Sequence, residues 1–499
     1  MRTFSKSKLL ALRQCPKRLW LEVHRPDLRE YSTEIDARFQ TGFQVGEIAQ
    51  RIYDRAGQGV LIDVQVDGFD RAFKRTAELL RTQQPIFEAG FSAGGALTFA
   101  DILLPEQNGA ELVWHMIEVK SSTSVKDYHY DDLAVQAFAV KAAGIPLASI
   151  SLAHIDSSWV YPGDNDYRGL LKENDLTAEA LSRTDEVNEW IIQAQNIVAQ
   201  STEPAIETGS QCHSPFECSF YSYCSRNEPI PEYPIYWLPR FPSAKAEKLA
   251  AQGIDDLRNI PNDLLNDKQL RVKAHTLANT VFFDAFGAAA DLAAYPLPAY
   301  FLDFETIQFA VPVWKGTRPY QQIAFQFSLH RLDVSGQLEH MEFLDLSGND
   351  PSESFAFALI AACGEQGPVF VYNAGFEMAR IRELAERYPF FSKPLLAIND
   401  RVVDLLPIAR ERYYHPSQQG SWSIKKVLPA VVPELRYDAL DGVQDGGMAM
   451  NAFLEGIHLD TTPARKTQIE QQLLAYCKLD TYAMVRLWQI FSGRTDLKL

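Results

Sequence analysis

Three of the six cysteines in this chain of 499 residues crowd into "CHSPFECSFYSYCSR", at Cys212, Cys218 and Cys224, with five residues between neighbours. A tetrahedral metal site wants four ligands. Cys363 and Cys477 fall deep in the C-terminal part, whereas Cys15 lies in the basic stretch "LRQCPKRLW". If Cys15 joins the other three, a metal staples the two ends of an N-terminal domain together. That demand constrains the fold more than any local propensity. The cysteines are too sparse for a disulfide scaffold, so a cluster of them reads as metal ligands. Thiolates suit zinc and an iron–sulfur cluster equally on softness. The alternative is a set of buried cysteines that hold no metal.

A chain of this length exceeds one ordinary core, and two or three domains are expected. No segment approaches the roughly 18 consecutive apolar residues of a membrane helix. The N-terminus lacks a continuous apolar stretch of the kind a secretory signal needs. The expectation is a cytoplasmic protein with no membrane partner. The net charge of −16 argues against a protein that simply coats nucleic acid. Locally the balance reverses: residues 1–30 carry eight Lys/Arg against three Asp/Glu.

The pattern along the chain predicts an α/β multi-domain protein. Helical periodicity in "SKSKLLALRQCPKRLWLEV", "GFQVGEIAQRIYDRA" and "FDRAFKRTAELLRT" gives way to a hairpin, "ALTFADILLP" and "LVWHMIEVKSS". The helix "DDLAVQAFAVKAAG" follows, and helical segments are expected to about residue 200. The proline-rich "RNEPIPEYPIYWLPRFPS" reads as a linker into a small helical element, "AKAEKLAAQGIDDLRNIPNDLLNDKQLRVKAHTLANTV". That element reads as connector packing, with a weaker hint of a backbone-binding hairpin. The expected domains are 1–228, a connector over 229–296, and 297–499.

Side chains alternate along a strand, so Glu118 and Lys120 in "IEVKSS" share a face. Asp101 stands on the preceding strand, where an acid inside "FADILL" needs a reason. Carboxylates converging with a lysine can hold Mg²⁺ or Mn²⁺, orient a water and stabilise charge on a phosphate. A surface Glu–Lys pair would show the same letters. With the cysteines, the set resembles the PD-(D/E)XK nucleases of the RecB type, in their iron–sulfur branch. That branch includes the AddB helicase–nuclease subunit and the CRISPR adaptation exonucleases. The resemblance covers roughly residues 1–228. It implies a restriction-endonuclease-like fold, a [4Fe–4S] cluster on Cys15, Cys212, Cys218 and Cys224, and a catalytic set of Asp101, Glu118, Lys120 and Gln136. Asp101 and Glu118 are the implied metal ligands. Glu47 and Glu88 are further candidate carboxylates.

A second pair of acids, Asp303 and Glu305, shares one face of the strand "FLDFET". Tyr476 and Asp480 lie four apart in a helical pattern and stack on one face. Between them "PVFVYNAGFEMARIREL" reads as a strand running into a helix that starts near Glu377. This set resembles the DEDDy 3′–5′ exonucleases of the RNase H-like fold, over about residues 297–495. The resemblance implies two metal ions on Asp303, Glu305, Glu377 and Asp480, with Tyr476 orienting the water. Glu377 stands where that family usually has aspartate. Asp404 is a further candidate acid or a plain helix-start residue. Lys425 and Lys426 are candidate phosphate contacts or a solvated pair.

Together the resemblances imply a nuclease with two active sites acting on nucleic acid, DNA with a free end above all. No P-loop is present, so any helicase would be a separate partner. The alternatives are a nucleic-acid clamp with one degenerate nuclease domain, and an iron–sulfur redox or sensor protein.

Overall fold

The computed structural model describes residues 2–30, 33–494 and 496–497. The chain forms two compact units: residues 1–228 with 309–321, and residues 229–308 with 322–499. Both combine sheets with helices, as an α/β reading requires. Among the described residues no helix is long and apolar enough to cross a membrane.

The first unit opens with α1 (Lys6–Gln14) and α2 (Pro16–His24). One helical pattern becomes two helices because Pro16 has no N–H to give and forces the residue before it out of the helical region. Cys15 is therefore extended, with φ −163° and ψ 122°, and sits at the corner between them. Next come α3 (Thr33–Tyr53), β1 (Ile86–Ala93), β2 (Ala96–Asn108) and β3 (Glu111–Lys120). They are followed by α4 (Asp127–Ala142), β4 (Leu147–Ile155), β5 (Leu171–Asp175) and α5 (Thr184–Val198). The sheet runs Val60–Leu61, β1, β2, β3, β4, β5, and Phe4–Ser5 lies parallel to the start of β2. β1 to β3 form an antiparallel meander, and β4 joins β3 in parallel after the crossover through α4. Leu133, Val135, Ala137 and Val140 of α4 are buried in the core below the sheet.

Two sequence expectations change here. Where helices were expected up to residue 200, β4 and β5 intervene. β4 pairs on both edges and is buried over Ile150–Ile155, Ser151 and His154 included, so its burial does not alternate along the strand. Residues 309–321, expected in the C-terminal domain, belong to the first unit. Ala310 and Val311 are buried there with Val45, Ile48, Ile155 and Leu170. Backbone bonds Tyr161 N to Thr317 O (2.9 Å) and Gly316 N to Tyr161 O (2.8 Å) hold the segment.

The second unit contains α6 (Asp267–Ala278), β6 (Ala299–Ile307), β7 (Ile323–Leu332), β8 (Leu338–Leu344) and β9 (Val369–Val371). Then follow α7 (Gly375–Arg387), β10 (Val402–Asp404), α8 (Leu405–Arg412), α9 (Ile424–Val431) and the long α10 (Pro463–Ser492). The sheet order is β8-β7-β6-β9-β10, antiparallel from β8 to β6 and parallel from β6 to β10. β6 is central, and α10 packs across β6 and β7.

Residues 229–296, expected as a separate connector, cluster with this second unit. Phe282–Phe283 pair with Tyr413–Tyr414 as a two-stranded ribbon, and Thr276 Oγ1 lies 2.6 Å from Tyr414 Oη. Gly420, at φ +76°, passes so close to Trp237 that a Cβ would sit 1.6 Å from its carbonyl oxygen. Only glycine permits both the dihedral and the approach. The weaker hint, a backbone-binding hairpin of two helices joined by one turn, is not what the described residues form. Ser243–Ala250 is helical, but only 3₁₀ turns at Leu257–Asn259 and Asn262–Leu264 precede α6.

Candidate functional site

Cys15, Cys212, Cys218 and Cys224 line one small cavity in the first unit, and none is in a disulfide. Backbone and side-chain bonds set the two segments against each other. Gln14 Nε2 donates to the carbonyls of Gln211 and Phe216, both at 2.7 Å, and Cys218 N donates to Cys212 O at 2.7 Å. Burial pushes the Cys224 thiol up to about 11, and the sulfurs of Cys218, Cys212 and Cys15 push the same way. Cys218 is raised by burial in the same manner, with Cys212 and Cys15 adding to it. Cys218 and Cys224, raised in this way beside two further sulfurs, need a cation to be held as thiolates. The donor set therefore fits a thiolate-bound metal or cluster.

The sheet of the first unit splits open around Asp101. In the register of β1 and β2, Glu88 stands opposite Asp101, yet Glu88 takes φ +56° and the ladder skips that pair. On the other side, pairing with β3 stops at Ile102/Ile117, and Asp101 Oδ2 instead accepts from Val119 N at 2.7 Å. A left-handed φ at a non-glycine residue inside a strand is strained, and such strain gathers at functional positions. Glu88, Asp101 and Glu118 thereby come into range of one another. Burial raises the Asp101 carboxyl well above its usual range, with Glu118 and Glu88 adding to it. Burial, then Glu118, lifts Glu88 to about 7.

Two lysines close the other side. Lys120 Nζ lies 2.5 Å from both Glu118 Oε1 and Asp132 Oδ2; Lys6 Nζ lies 2.9 Å from Glu118 Oε1 and 2.8 Å from Asp132 Oδ1. Burial alone would push the Asp132 carboxyl up, but Lys120 and Lys6 hold it well below the usual carboxylate range. Gln136 Nε2 donates to Glu118 Oε2, while the buried Gln136 Oε1 has no partner. Asp101, Glu118, Lys120 and Gln136 thus meet. Lys6 and Asp132 escaped the sequence reading. Asp132 had a signal, lying one turn before Gln136 on α4; Lys6 had none. Glu88 joins the set, and Glu47 is exposed on α3. Four carboxylates against two ammonium groups leave a deficit that one divalent cation would fill.

In the second unit, β6 alternation turns Phe304 into the core while Asp303 and Glu305 share the opposite face. The first turn of α7 brings Glu377, and α10 brings Tyr476, Cys477 and Asp480. Burial raises the Asp303 carboxyl well above its ordinary range, with Asp480, Glu305 and Glu377 adding to it. Burial and Asp480 push Glu305 up to about 8, against Lys425. Burial lifts Asp480 to about 6, although Tyr437 Oη donates to its Oδ1 at 2.6 Å. Burial also lifts Glu377 to about 8, and its buried Oε2 has no hydrogen-bond partner. Ligand atoms of Asp303, Glu305 and Cys477 lie within 4.8 Å of one another. This acidic set, with one carboxylate oxygen orphaned, also fits divalent cations.

Three further residues shape this site. Asp404 is a brace: it accepts from Asn373 N at 2.9 Å, Ala374 N at 3.1 Å and Leu406 N at 2.9 Å. It thereby caps α8 and holds the turn before α7, where Asn373 takes φ +83°. Lys425 Nζ lies 5.1 Å from the Tyr476 ring centre and 5.4 Å from that of Tyr437, whereas Lys426 is exposed. Tyr437 and Cys477 escaped the sequence reading. Tyr437 lies in an irregular stretch whose pattern says nothing about where it folds.

Residues 300–423 match a family described as Domain of unknown function (DUF2779). The matched span holds Asp303, Glu305, Glu377 and Asp404, and ends before Lys425, Tyr476 and Asp480. No curated protein matches the chain.

Proposed function

We propose that the protein is a metal-dependent nuclease with two separate active sites, acting on nucleic acid with a free end, DNA in the first instance. The observation that carries this reading is the convergence of Asp303, Glu305, Glu377 and Asp480, from three elements, in a buried site where, among the described residues, no lysine forms an ion pair with them. Burying such acids without cations is costly, and phosphodiester hydrolysis is the chemistry that uses them.

The first unit reads as a PD-(D/E)XK nuclease domain and the second as an RNase H-like DEDDy 3′–5′ exonuclease domain. Mg²⁺ or Mn²⁺ bound at these acids would supply an activated water and stabilise the leaving oxygen. The chain's own residues do the rest. In the first site Asp101, Glu118 and Glu88 bind, Gln136 orients Glu118, and Lys120 exchanges its carboxylate partners for a phosphate oxygen. In the second, Tyr437 fixes the Asp480 carboxylate, Tyr476 positions the water, and Lys425 offsets part of the acidic charge. The four cysteines hold a [4Fe–4S] cluster that ties α1 and α2 to the segment after α5.

One observation favours a second reading. Both lysines of the first site are engaged by Glu118 and Asp132, so neither is free to meet a reacting phosphate, as in a nuclease domain that has lost the cutting step and only holds nucleic acid through other groups.

The test is cleavage of end-labelled single- and double-stranded DNA and RNA with Mg²⁺ and Mn²⁺, in wild type, Lys120→Ala and Asp303→Ala. Two activities, each lost in one variant, are expected. One activity lost only in Asp303→Ala selects the clamp reading, and none sinks the proposal. Anaerobically purified protein should carry iron and sulfide that Cys15→Ser loses; a colourless protein with stoichiometric zinc would reject the iron–sulfur assignment.

A further inference from the structure

An acidic site repels the polyanion it is supposed to cut. A strand reaches it only if cationic groups nearby take its phosphates. The second unit has one such place. A cleft of about 1100 Å³ opens between the loop before α6, the α6 helix itself, the end of α8 and the segment leading into α9. Arg240, Lys268, Arg271 and Arg410 line it, against Asp267 and Glu411. In a chain of net charge −16 this surplus of positive charge is local.

The cations differ in how far they are already used. Lys268 is paired with Glu411 at 2.5 Å. Arg271 donates to the Glu411 carbonyl at 2.7 Å and lies over the Phe282 ring. Among the described residues no carboxylate pairs with Arg240 or Arg410. Arg240 is exposed and takes φ +50°, a left-handed conformation that a plain linker has no need to maintain.

The cleft is tied to the acidic site by the elements that serve both. Its lining includes Asn373, four residues before Glu377, and Ile424, one residue before Lys425. The elements around it are locked together by the Gly420–Trp237 approach and by the Tyr372 Oη bond to Trp422 O at 2.7 Å. Residues 229–296 therefore build a wall of this cleft.

We propose that this cleft is a binding track for the phosphodiester backbone of single-stranded nucleic acid, which delivers a strand to Asp303, Glu305, Glu377 and Asp480. Arg240 and Arg410 are its two phosphate contacts. The proposal rests on reading that acidic site as a phosphodiester hydrolase and assigns residues 229–296 the work of holding substrate.

The test separates binding from cutting. Fluorescence anisotropy of a short labelled single-stranded DNA, and of the RNA of the same sequence, is measured in EDTA with the full chain. The double variant Arg240→Glu/Arg410→Glu should raise Kd at least about tenfold and reduce the salt slope by about 1.4, or about 0.7 per lost phosphate contact. Lys248→Glu, an exposed position outside the cleft, should leave Kd within about twofold on the same grounds. Ultraviolet crosslinks of the strand should map to peptides containing Arg240 or Arg410 and vanish in the double variant. Arg240→Gln/Arg410→Gln should lose binding in the same direction by a smaller factor, with an unchanged melting temperature. Unchanged affinity, with crosslinks mapping elsewhere, overturns the track even if wild type cuts. Lost affinity in a chain that never cuts keeps the track and removes the hydrolytic reading alone.

Discussion

The two acidic sites solve the same electrostatic problem in opposite ways. In the first unit Lys6 and Lys120 each bridge Glu118 and Asp132, so half of the carboxylates are neutralised by the chain. In the second unit the acids face one another; Lys425, beside the tyrosine rings, offsets Glu305 and Asp480, and Arg380 offsets Glu377. A site balanced by lysines is stable by itself but must open to bind. A site of uncompensated acids is strained until cations arrive. The difference follows from the elements that supply the groups. α1 and α4 bring a lysine and an aspartate to the first site, while β6, α7 and α10 bring mainly acids to the second.

The largest expected effect is at the second site. Asp303→Ala should lower its cleavage rate by about a thousandfold or more, since a two-metal site missing one ligand loses its geometry. Single-turnover degradation of a 5′-labelled strand in a Lys120→Ala background reads this, and an undiminished ladder would break the assignment.

Next comes an opposite sign in stability. Lys120→Ala leaves buried acids short of a partner, and breaking a buried pair costs about 3 kcal/mol. Asp303→Asn, in metal-free protein, should instead raise the melting temperature, because it removes a buried carboxylate that burial and its acidic neighbours disfavour. Melts in EDTA showing the same sign for both would dissolve the contrast.

A smaller effect is a pH slope. Glu305 and Glu377 are raised from 4.5 to about 8, and Asp480 from 3.8 to about 6. These groups favour the folded, metal-free second unit at low pH, and that contribution is lost as pH rises from about 4 through about 8. Asp132 is held below 3.8. Its contribution to the first unit is present above about pH 4 and lost on acidification. Peptide-resolved hydrogen exchange in EDTA should show the second unit loosening between pH 5 and 8 (roughly the window set by those shifts). The first unit should loosen less over that range, because the raised Glu88 and Asp101 there are accompanied by a lowered Asp132. Saturating Mn²⁺ should flatten the slope.

The smallest effect is Glu377→Asp, which keeps the charge and removes one methylene. The second-site rate should change by no more than about threefold, upward if the shorter side chain suits the metal spacing better. A loss as deep as that of Asp303→Ala would show that the longer carboxylate is required.

How much of this was legible follows from what each signal depends on. The hairpin carrying Asp101, Glu118 and Lys120 was legible because alternation and an out-of-place acid are local patterns. The i, i+4 spacing of Tyr476 and Asp480 was equally local. The strand Leu147–Ile155 was misread as helical, since a strand buried on both faces loses the alternation that distinguishes it. Asp132 was within reach as the residue one turn before Gln136, and Asp404 was legible only as an ambiguity between acid and cap.

The sequence by itself determined which residue types stand on which strand or helix face, and that four cysteines lie at the two ends of one region. Those depend on periodicities of two and 3.6 residues and on the chemistry of single side chains. Tertiary structure alone decided that Lys6 reaches Glu118 and Asp132, that Tyr437 meets Asp480, and that residues 309–321 join the first unit. It also decided that Gly420 lets Trp237 lie against the C-terminal segment. Each of these pairs groups separated by tens to hundreds of positions. Their meeting depends on how faces pack across the fold, and no local pattern encodes that.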